Sequence, residues 1–240
     1  MHSPVRRPEI PLVRQAWEGI GAPPVYEATG GPIEGGEFVP AGEFALLGGS
    51  GVVDGEEVVV RTSYEAGRDL LAAEAVSYDQ VGLVRAPVEA ERRLREQPGG
   101  PSRLMHLPGW FNVAAEGLAV TFPEMARAAT VEVFERRADG YEAVETTSLL
   151  SFLAARDYEV VAADWGERWP TNFIAIDDGV VVALHDPDET GDYRPEDNPT
   201  IETLTSRGVT VLPDGVGLPT GALTGGGGGL HCMTAPVNRG

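Results

Sequence analysis

Lysine is absent from the 240 residues, cysteine occurs once, at Cys232, and acidic residues outnumber basic ones so strongly that the formal net charge is −19. A single cysteine excludes an internal disulfide framework and a zinc site built from cysteines. The negative charge argues against nucleic acids and anionic membranes as partners. It would favour a cationic ligand, although solubility or adaptation to salt is the more ordinary explanation. The chain also lacks an apolar run of about 18 residues, the length that crosses a bilayer, and a signal-like start. We therefore expect a cytoplasmic protein.

The sequence does contain 42% hydrophobic residues, enough for one large domain or two small ones. Short β-like runs such as PVYEA, EFALLGG, GLVRAP and EVVAA alternate with helical patterns. Helices are predicted over RPEIPLVRQAWEGIG, SYEAGRDLLAAEAVSY with Ser63 as N-cap, YEAVETTSLLSFLAARDY, and TIETLTSRG with Gly208 at the C-cap. NFIAIDDGVVVAL predicts a hairpin, LMHLPGWFNVAAEGLAVTF and LHCMTAPV predict strands, and VEAERRLREQPGG predicts an exposed segment. The pattern indicates an α/β fold of strand pairs alternating with single helices.

Cys232 is the first candidate for chemistry, because five consecutive glycines precede it in GGGGGLHCMTAPVNRG. Glycines adopt backbone angles closed to other residues and let a ligand approach the main chain. A thiolate supported by a neighbouring base is a strong nucleophile. The alternative is an inert core cysteine, since cysteine is among the most buried residue types.

His106, in LMHLPGWF, is the candidate partner for the thiol among the four histidines. Histidine exchanges protons near neutral pH, which suits a proton shuttle. His231 adjoins Cys232, but neighbours in a predicted strand point to opposite faces, so it is a poor partner. His2 is terminal, and His185 leads into the acidic stretch HDPDETGDYRPEDNPT, which predicts an exposed loop or a lid. The alternative for His106 is a histidine satisfied inside the core.

Two acids, Glu34 and Glu37, flank Gly35-Gly36 in GGPIEGGEF. Carboxylates held by a glycine turn can bind a guanidinium group through paired hydrogen bonds. An ordinary acidic turn is the alternative.

These segments together resemble the arginine deiminase and amidinotransferase superfamily, the guanidino-modifying enzymes that share the pentein fold. The similarity is closest to arginine deiminases and runs from about Arg6 to Arg239 through IEGGEF, ALLGGS, VRTS, LMHLPGWF, TNFIAIDDGVVVAL and GGGGGLHCMTAPVNR, in the family's order. The resemblance implies an α/β propeller of the pentein type. It also implies a single domain over residues 1–240 that lacks the family's N-terminal module.

The resemblance further implies a mechanism. In the family, a cysteine attacks the guanidinium carbon to form an amidino-thioether, and a histidine protonates the leaving group and then activates water. An acid supports the histidine and the positively charged substrate. Matched by motif, these catalytic roles fall on Cys232, His106 and Glu34. The implied substrate-binding residues are Glu37, Arg61, Asn172 and Gly229. The implied partner is a small cationic guanidino compound such as arginine, and no cofactor or metal is implied.

Three departures from the family pattern qualify this expectation. Pro108 occupies the position at which the family has an aspartate that binds the guanidinium group. The run from Gly225 to Gly229 lacks the arginine that binds the amino-acid carboxylate in arginine deiminases. In the family, an N-terminal module precedes the RRPE-like segment, whereas this chain starts at about RRPE. We expect a guanidino hydrolase, with an amidinotransferase or a non-catalytic pentein-fold binding protein as alternatives, and the oligomeric state stays open.

Overall fold

The computed structural model describes residues 8–96, 102–167, 169–183, 199–212 and 228–234, and they form a mixed α/β fold. The α-helices are α1 (Glu9–Gly19), α2 (Tyr64–Ala72), α3 (Val88–Leu94), α4 (Pro123–Ala128), α5 (Leu149–Ala154) and α6 (Pro199–Ser206). The strands are β1 (Phe38–Ala41), β2 (Phe44–Gly49), β3 (Gly51–Val53), β4 (Glu56–Val58), β5 (Gln80–Arg85), β6 (Phe111–Ala115), β7 (Leu118–Thr121), β8 (Thr130–Arg137), β9 (Gly140–Ser148), β10 (Glu159–Ala162), β11 (Ile174–Asp177), β12 (Val180–Val182) and β13 (Thr210–Leu212). Single 3-10 turns cover Gly35–Glu37, Leu107–Gly109 and His231–Met233.

The chain divides into two compact units. The first unit takes its described residues from 8–88 and 130–147, and the second from 89–129 and 148–234. None of the helices in the described part of the chain combines the length and apolar character needed to cross a bilayer.

The first unit is built on a five-stranded sheet of order β1-β2-β5-β8-β9, with β3 and β4 as a separate hairpin. Strands β2 and β5 run parallel, whereas β1 with β2 and β5 with β8 are antiparallel. Helix α2 begins where the Ser63 hydroxyl accepts a hydrogen bond from the Ala66 amide, as predicted. Its inner face packs on β2 and β5, where Gly67 approaches Leu83 closely. The core cluster here consists of Leu47, Tyr64, Leu71, Val76, Val81, Leu83 and Phe134.

The second unit contains two three-stranded sheets, of order β10-β7-β6 and β11-β12-β13. Helices α4 and α5 pack on each other, and α6 packs on β13 and β10. The β11–β12 hairpin is present as predicted, with Gly179 at a φ of 67° in its turn. Gly208, at a φ of 86°, follows α6 in the predicted position. These elements hold the segments that carry His106 and Cys232.

Several sequence predictions of secondary structure are wrong. The helix expected from Tyr141 begins only at Leu149, and the preceding residues form β9 at the edge of the sheet. Its β-branched residues, such as Val144 and Thr146, lose side-chain freedom in a helix and fit a strand better. PVYEA forms no strand. The segment expected to be exposed instead forms the amphipathic helix α3, in which Glu91 is buried.

The mixed α/β class is confirmed. Among the described residues no sheet closes on itself, and both the propeller arrangement and the single domain over 1–240 stay predictions. The acidic loop expected around His185 and the glycines from Gly225 to 227 lie outside the described residues.

Candidate active site

The Cys232 thiol is exposed and lies in the 3-10 turn His231–Met233. The strand predicted for this segment is wrong over these residues, because Leu230 adopts helical angles and the Met233 amide bonds back to the Leu230 carbonyl at 3.1 Å. Successive residues of a 3-10 turn lie a third of a turn apart rather than on opposite faces. The strand-based reason for dismissing His231 therefore no longer applies.

Asn172 lies directly against the thiol. Its side chain is 1% exposed and its Nδ2 donates to the Cys232 Sγ at 3.3 Å. The same nitrogen lies 3.5 Å from the Pro108 carbonyl oxygen, while Oδ1 accepts from the His231 backbone N–H at 2.9 Å. One buried amide thus contacts both the cysteine turn and the segment that follows His106.

Gly229 is required by this packing. A Cβ on Gly229 would lie 2.4 Å from the Asn172 Oδ1, and one on Gly228 would lie 3.1 Å from the Cys232 Cβ. Contacts under 3.0 Å essentially do not occur for real Cβ atoms. The last glycines of the run therefore allow close approach of the main chain to Asn172.

His106 is half-buried and immediately precedes the turn Leu107–Gly109, whose Gly109 amide bonds to the His106 carbonyl at 2.9 Å. The strand predicted around His106 is wrong, since β6 begins only at Phe111. Pro108 is buried in that turn, and its carbonyl accepts from the Thr171 hydroxyl at 2.9 Å. The proline has no side-chain acceptor, but its backbone carbonyl binds the Thr171–Asn172 segment.

Glu34, Glu37 and Arg61 lie together in the first unit. The Arg61 Nη1 is 3.8 Å from the Glu34 Oε1, and the Glu34 amide donates to the Thr62 hydroxyl at 3.0 Å. The Glu37 carboxylate packs against Gly48, where a Cβ would be 2.0 Å from its Oε2. Both acids are buried, at 9% and 5% exposure. The turn from Glu34 to Glu37, which we call the acid turn, is therefore packed into the protein and is not a solvated loop.

A third carboxylate, on helix α2, fixes the chain that leads into this turn. Asp69 on α2 accepts from the backbone amides of Thr29 at 2.6 Å and Gly30 at 3.0 Å. The hydrogen bond from Gly30, and then that from Thr29, hold the pKa of Asp69 below its usual range. The acid turn is therefore anchored at its N-terminal side by an ionised α2 carboxylate.

The structure thus brings Cys232, Asn172, Gly229 and the Pro108 turn together in the second unit, and Glu34, Glu37 and Arg61 together in the first. Among the described residues no three His, Cys, Asp or Glu side chains converge in a way that could hold a metal ion.

Comparison with known proteins gives a match over most of the chain: the family model for arginine deiminase covers residues 16–239. The chain belongs to the arginine deiminase family. Arginine deiminase of Halobacterium salinarum is 27% identical over an alignment that covers 100% of this chain and 60% of that protein. The chain therefore spans less than two thirds of the length of this relative.

Two solved structures share the fold of this arginine deiminase family member. A cysteine-to-serine mutant of DDAH from Pseudomonas aeruginosa, complexed with citrulline, has a TM-score of 0.51 at 16% identity, covering 88% of this chain and 60% of that one. AgrE, in a ternary complex with ornithine and NAD+, has a TM-score of 0.53 at 16% identity, covering 88% and 24%. At this level of identity, the two likenesses show a shared fold and no shared function.

Sequence reasoning missed Arg103, which anchors the segment leading to His106 in this family member. Its side chain is 1% exposed, and Nη2 donates to the backbone carbonyls of Trp165 at 2.9 Å and Glu167 at 2.6 Å. Burial lowers the pKa of Arg103 to about 10, although the charges of Glu167 and Glu91 act to raise it. The guanidinium also stacks over the rings of Phe122 and Trp165. An arginine in a charged, glycine-rich sequence gave no signal of such burial.

Proposed function

We propose that this chain is a hydrolase of a small guanidino compound and that Cys232 is its nucleophile. The sulfur attacks the guanidinium carbon and forms a C–S bond. The C–N bond to the leaving group then breaks, and ammonia or an amine departs with a proton. Water adds to the resulting amidino-thioether, the C–S bond breaks, and the thiol is regenerated with a ureido product.

The observation that supports this proposal most strongly is the exposure of Cys232 together with the hydrogen bond to its sulfur. The alternative of an inert core cysteine requires burial, whereas the Cys232 thiol is exposed. Its sulfur is also held by a buried hydrogen-bond donor, Asn172, 3.3 Å away. Exposure of this residue is what a nucleophile needs in order to meet a substrate cation.

His106 is proposed as the acid that protonates the leaving nitrogen and the base that then activates water. Its backbone precedes the turn whose Pro108 carbonyl lies 3.5 Å from the Asn172 Nδ2, and the same Nδ2 contacts the sulfur. The two proposed catalytic segments are thus tied to one amide. Histidine is the side chain that most often gives and takes protons in catalysis, which suits both halves of the reaction.

The carboxylates and Arg61 complete the proposal through the family resemblance. Glu34 is proposed to support the histidine and the positively charged substrate, and Glu37 to contribute negative charge. Arg61 is proposed to contact the carboxylate of the substrate. The ion pair between Arg61 and Glu34 supports a turn built to bind charged groups. A positively charged substrate also suits a chain whose formal net charge is −19.

Two other functions remain alternatives. Amidino transfer differs from hydrolysis only in that an amine rather than water takes the amidino group. A non-catalytic binding protein is favoured by Pro108, because a buried proline stands where the family has a carboxylate that grips the guanidinium.

The test compares two reagents of nearly the same shape on the intact chain, the cationic 2-chloroacetamidine and the neutral 2-chloroacetamide, with intact-mass spectrometry as the readout. Because Cys232 is the sole cysteine, each added mass reports on that thiol. We expect rapid single labelling by the amidine alone, slowed by arginine or a methylated arginine, abolished in Cys232→Ser and reduced in His106→Ala. Equal rates for the two reagents in wild type and His106→Ala would contradict the proposal.

A further inference from the structure

We propose that Asn172 is a positioning residue that aims and stabilises the Cys232 sulfur, and that it makes no contact with the substrate. This inference rests on the proposed function for its role in catalysis, but the contacts that carry it belong to the protein alone. It differs from the role implied by the family resemblance, in which Asn172 binds substrate.

The side-chain nitrogen and oxygen of Asn172 already make hydrogen bonds to other groups of the protein. Nδ2 donates to the Cys232 Sγ at 3.3 Å and faces the Pro108 carbonyl at 3.5 Å, while Oδ1 accepts from the His231 N–H at 2.9 Å. With the side chain 1% exposed, little of it remains for a ligand to touch. An amide has two donor hydrogens and an oxygen with two lone pairs, so these contacts use both donors and one of the two lone pairs.

The orientation of the amide follows from the same contacts. If the side chain were flipped, its NH₂ group would face the His231 N–H, donor against donor, and its oxygen would face the Pro108 carbonyl, acceptor against acceptor. Only the observed orientation satisfies both neighbours, and it directs an N–H at the sulfur. The donor to Cys232 is therefore fixed by its surroundings rather than by the sulfur itself.

The backbone of Asn172 is fixed as well. The buried Asn112 donates through Nδ2 to the carbonyls of both Thr171 and Phe173, at 2.9 Å each, so the residues on either side are clamped. The Thr171 hydroxyl adds a bond to the Pro108 carbonyl at 2.9 Å. Gly229 completes the arrangement, because any side chain there would occupy the space of the amide.

A fixed N–H aimed at the sulfur can donate to the negative charge that a sulfur carries when it attacks, and hydrogen bonds to charged groups are the stronger ones. It also holds the sulfur in one place, which matters because small displacements of a reacting atom slow a reaction strongly. Asn172 thus has the properties of a group that acts through the nucleophile.

The test measures the rate at which a neutral thiol reagent, 4,4′-dithiodipyridine, modifies Cys232 in the full chain between pH 6 and about pH 10. Asn172→Asp keeps the size and the acceptor but loses the N–H donors, and Asn172→Ala removes the amide altogether. Thr171→Val is the matched control, because it cuts a neighbouring bond to the same Pro108 carbonyl without touching the sulfur. Circular dichroism establishes that each variant is folded.

We expect both Asn172 variants to react about tenfold more slowly than wild type near neutral pH, since hydrogen bonds to charged groups are the stronger ones. The difference should vanish at alkaline pH, where any thiol is ionised. Thr171→Val should stay within about twofold of wild type, as expected for a change that leaves the sulfur's donor intact. Wild-type rates in the folded Asn172 variants, an equal slowing at every pH, or an equal slowing in Thr171→Val would each overturn the inference.

Two further readouts cover the remaining cases. If neither Asn172 variant folds, Cys232 of wild type is blocked with a small disulfide reagent, and the chemical shifts of the Asn172 side-chain NH₂ group are followed by NMR. Unchanged chemical shifts would overturn the inference.

If wild type shows no preference for the amidine reagent, the proposed function fails, while the comparison made with the neutral reagent still decides the role of Asn172. In an active enzyme, Asn172→Asp lowers kcat and leaves KM unchanged.

Discussion

Replacing Gly229 by alanine tests whether the close packing around Asn172 controls the cysteine. The added Cβ would lie 2.4 Å from the Asn172 Oδ1, 2.6 Å from Cγ and 2.9 Å from the side chain's own Cβ. All three atoms belong to a side chain that is 1% exposed and hydrogen-bonded on both sides, so it has no free direction in which to rotate.

The size of the effect follows from these distances. Since Cβ contacts below 3.0 Å essentially do not occur, the amide or the main chain must move by at least 0.6 Å, the difference between 3.0 and 2.4 Å. A movement of that size takes the 2.9 Å bond from His231 to the limit of hydrogen bonding. Losing that bond in a buried site lowers the free energy of unfolding by about 2 kcal/mol. Displacing the sulfur slows its reaction by up to about a hundredfold.

The assay combines urea unfolding with the rate of 2-chloroacetamidine labelling at Cys232, measured in three variants. Gly35→Ala is the control, because a Cβ there meets nothing within 4 Å. Gly228→Ala, whose Cβ would meet the Cys232 Cβ at 3.1 Å, should give a smaller effect than Gly229→Ala. If Gly229→Ala matches Gly35→Ala in both stability and labelling, the reasoning from close packing is wrong.

Three other predictions concern stability and are read by equilibrium unfolding. Gly48→Ala should destabilise the chain by about 2 kcal/mol, because the new Cβ would displace the buried Glu37 carboxylate, 2.0 Å away, and an unchanged unfolding midpoint would contradict this. Arg103→Met should cost about 3 kcal/mol, since it removes two hydrogen bonds to backbone carbonyls and a buried positive charge that interacts with Glu167 and Glu91; a neutral result would refute the anchoring role. Burial, followed by the hydrogen bond to Glu132, raises the pKa of Tyr64 above its usual 10, so the folded chain keeps a proton that the unfolded chain loses. This contribution to stability is present below pH 10 and lost as the pH rises above it, and Tyr64→Phe should flatten that alkaline decline relative to wild type.

Local patterns predicted several elements correctly because their signals are short-range. Ser63 caps α2, Gly208 follows α6 with a positive φ, and the Asp-Gly turn joins β11 to β12. Each depends on one or two residues whose backbone preferences dominate. The helix predicted from Tyr141 was wrong because its residues pair with the preceding strand β8. The local signals for this hairpin, Asp139-Gly140 and the β-branched residues of β9, were outweighed by an apolar spacing that suits a helix.

The sequence by itself determined the family, through segments whose residue types recur in a fixed order, and it singled out Cys232, His106 and Glu34 as the groups with suitable chemistry. Only the tertiary structure decided that the thiol is exposed in a 3-10 turn and that Asn172 donates to it from 60 residues away in the chain. The physical reason is that a side chain's reactivity depends on its own atoms, whereas its exposure and hydrogen-bond partners depend on segments brought together by packing. Arg103 illustrates the same division, because nothing in its neighbours along the chain indicates that it is buried.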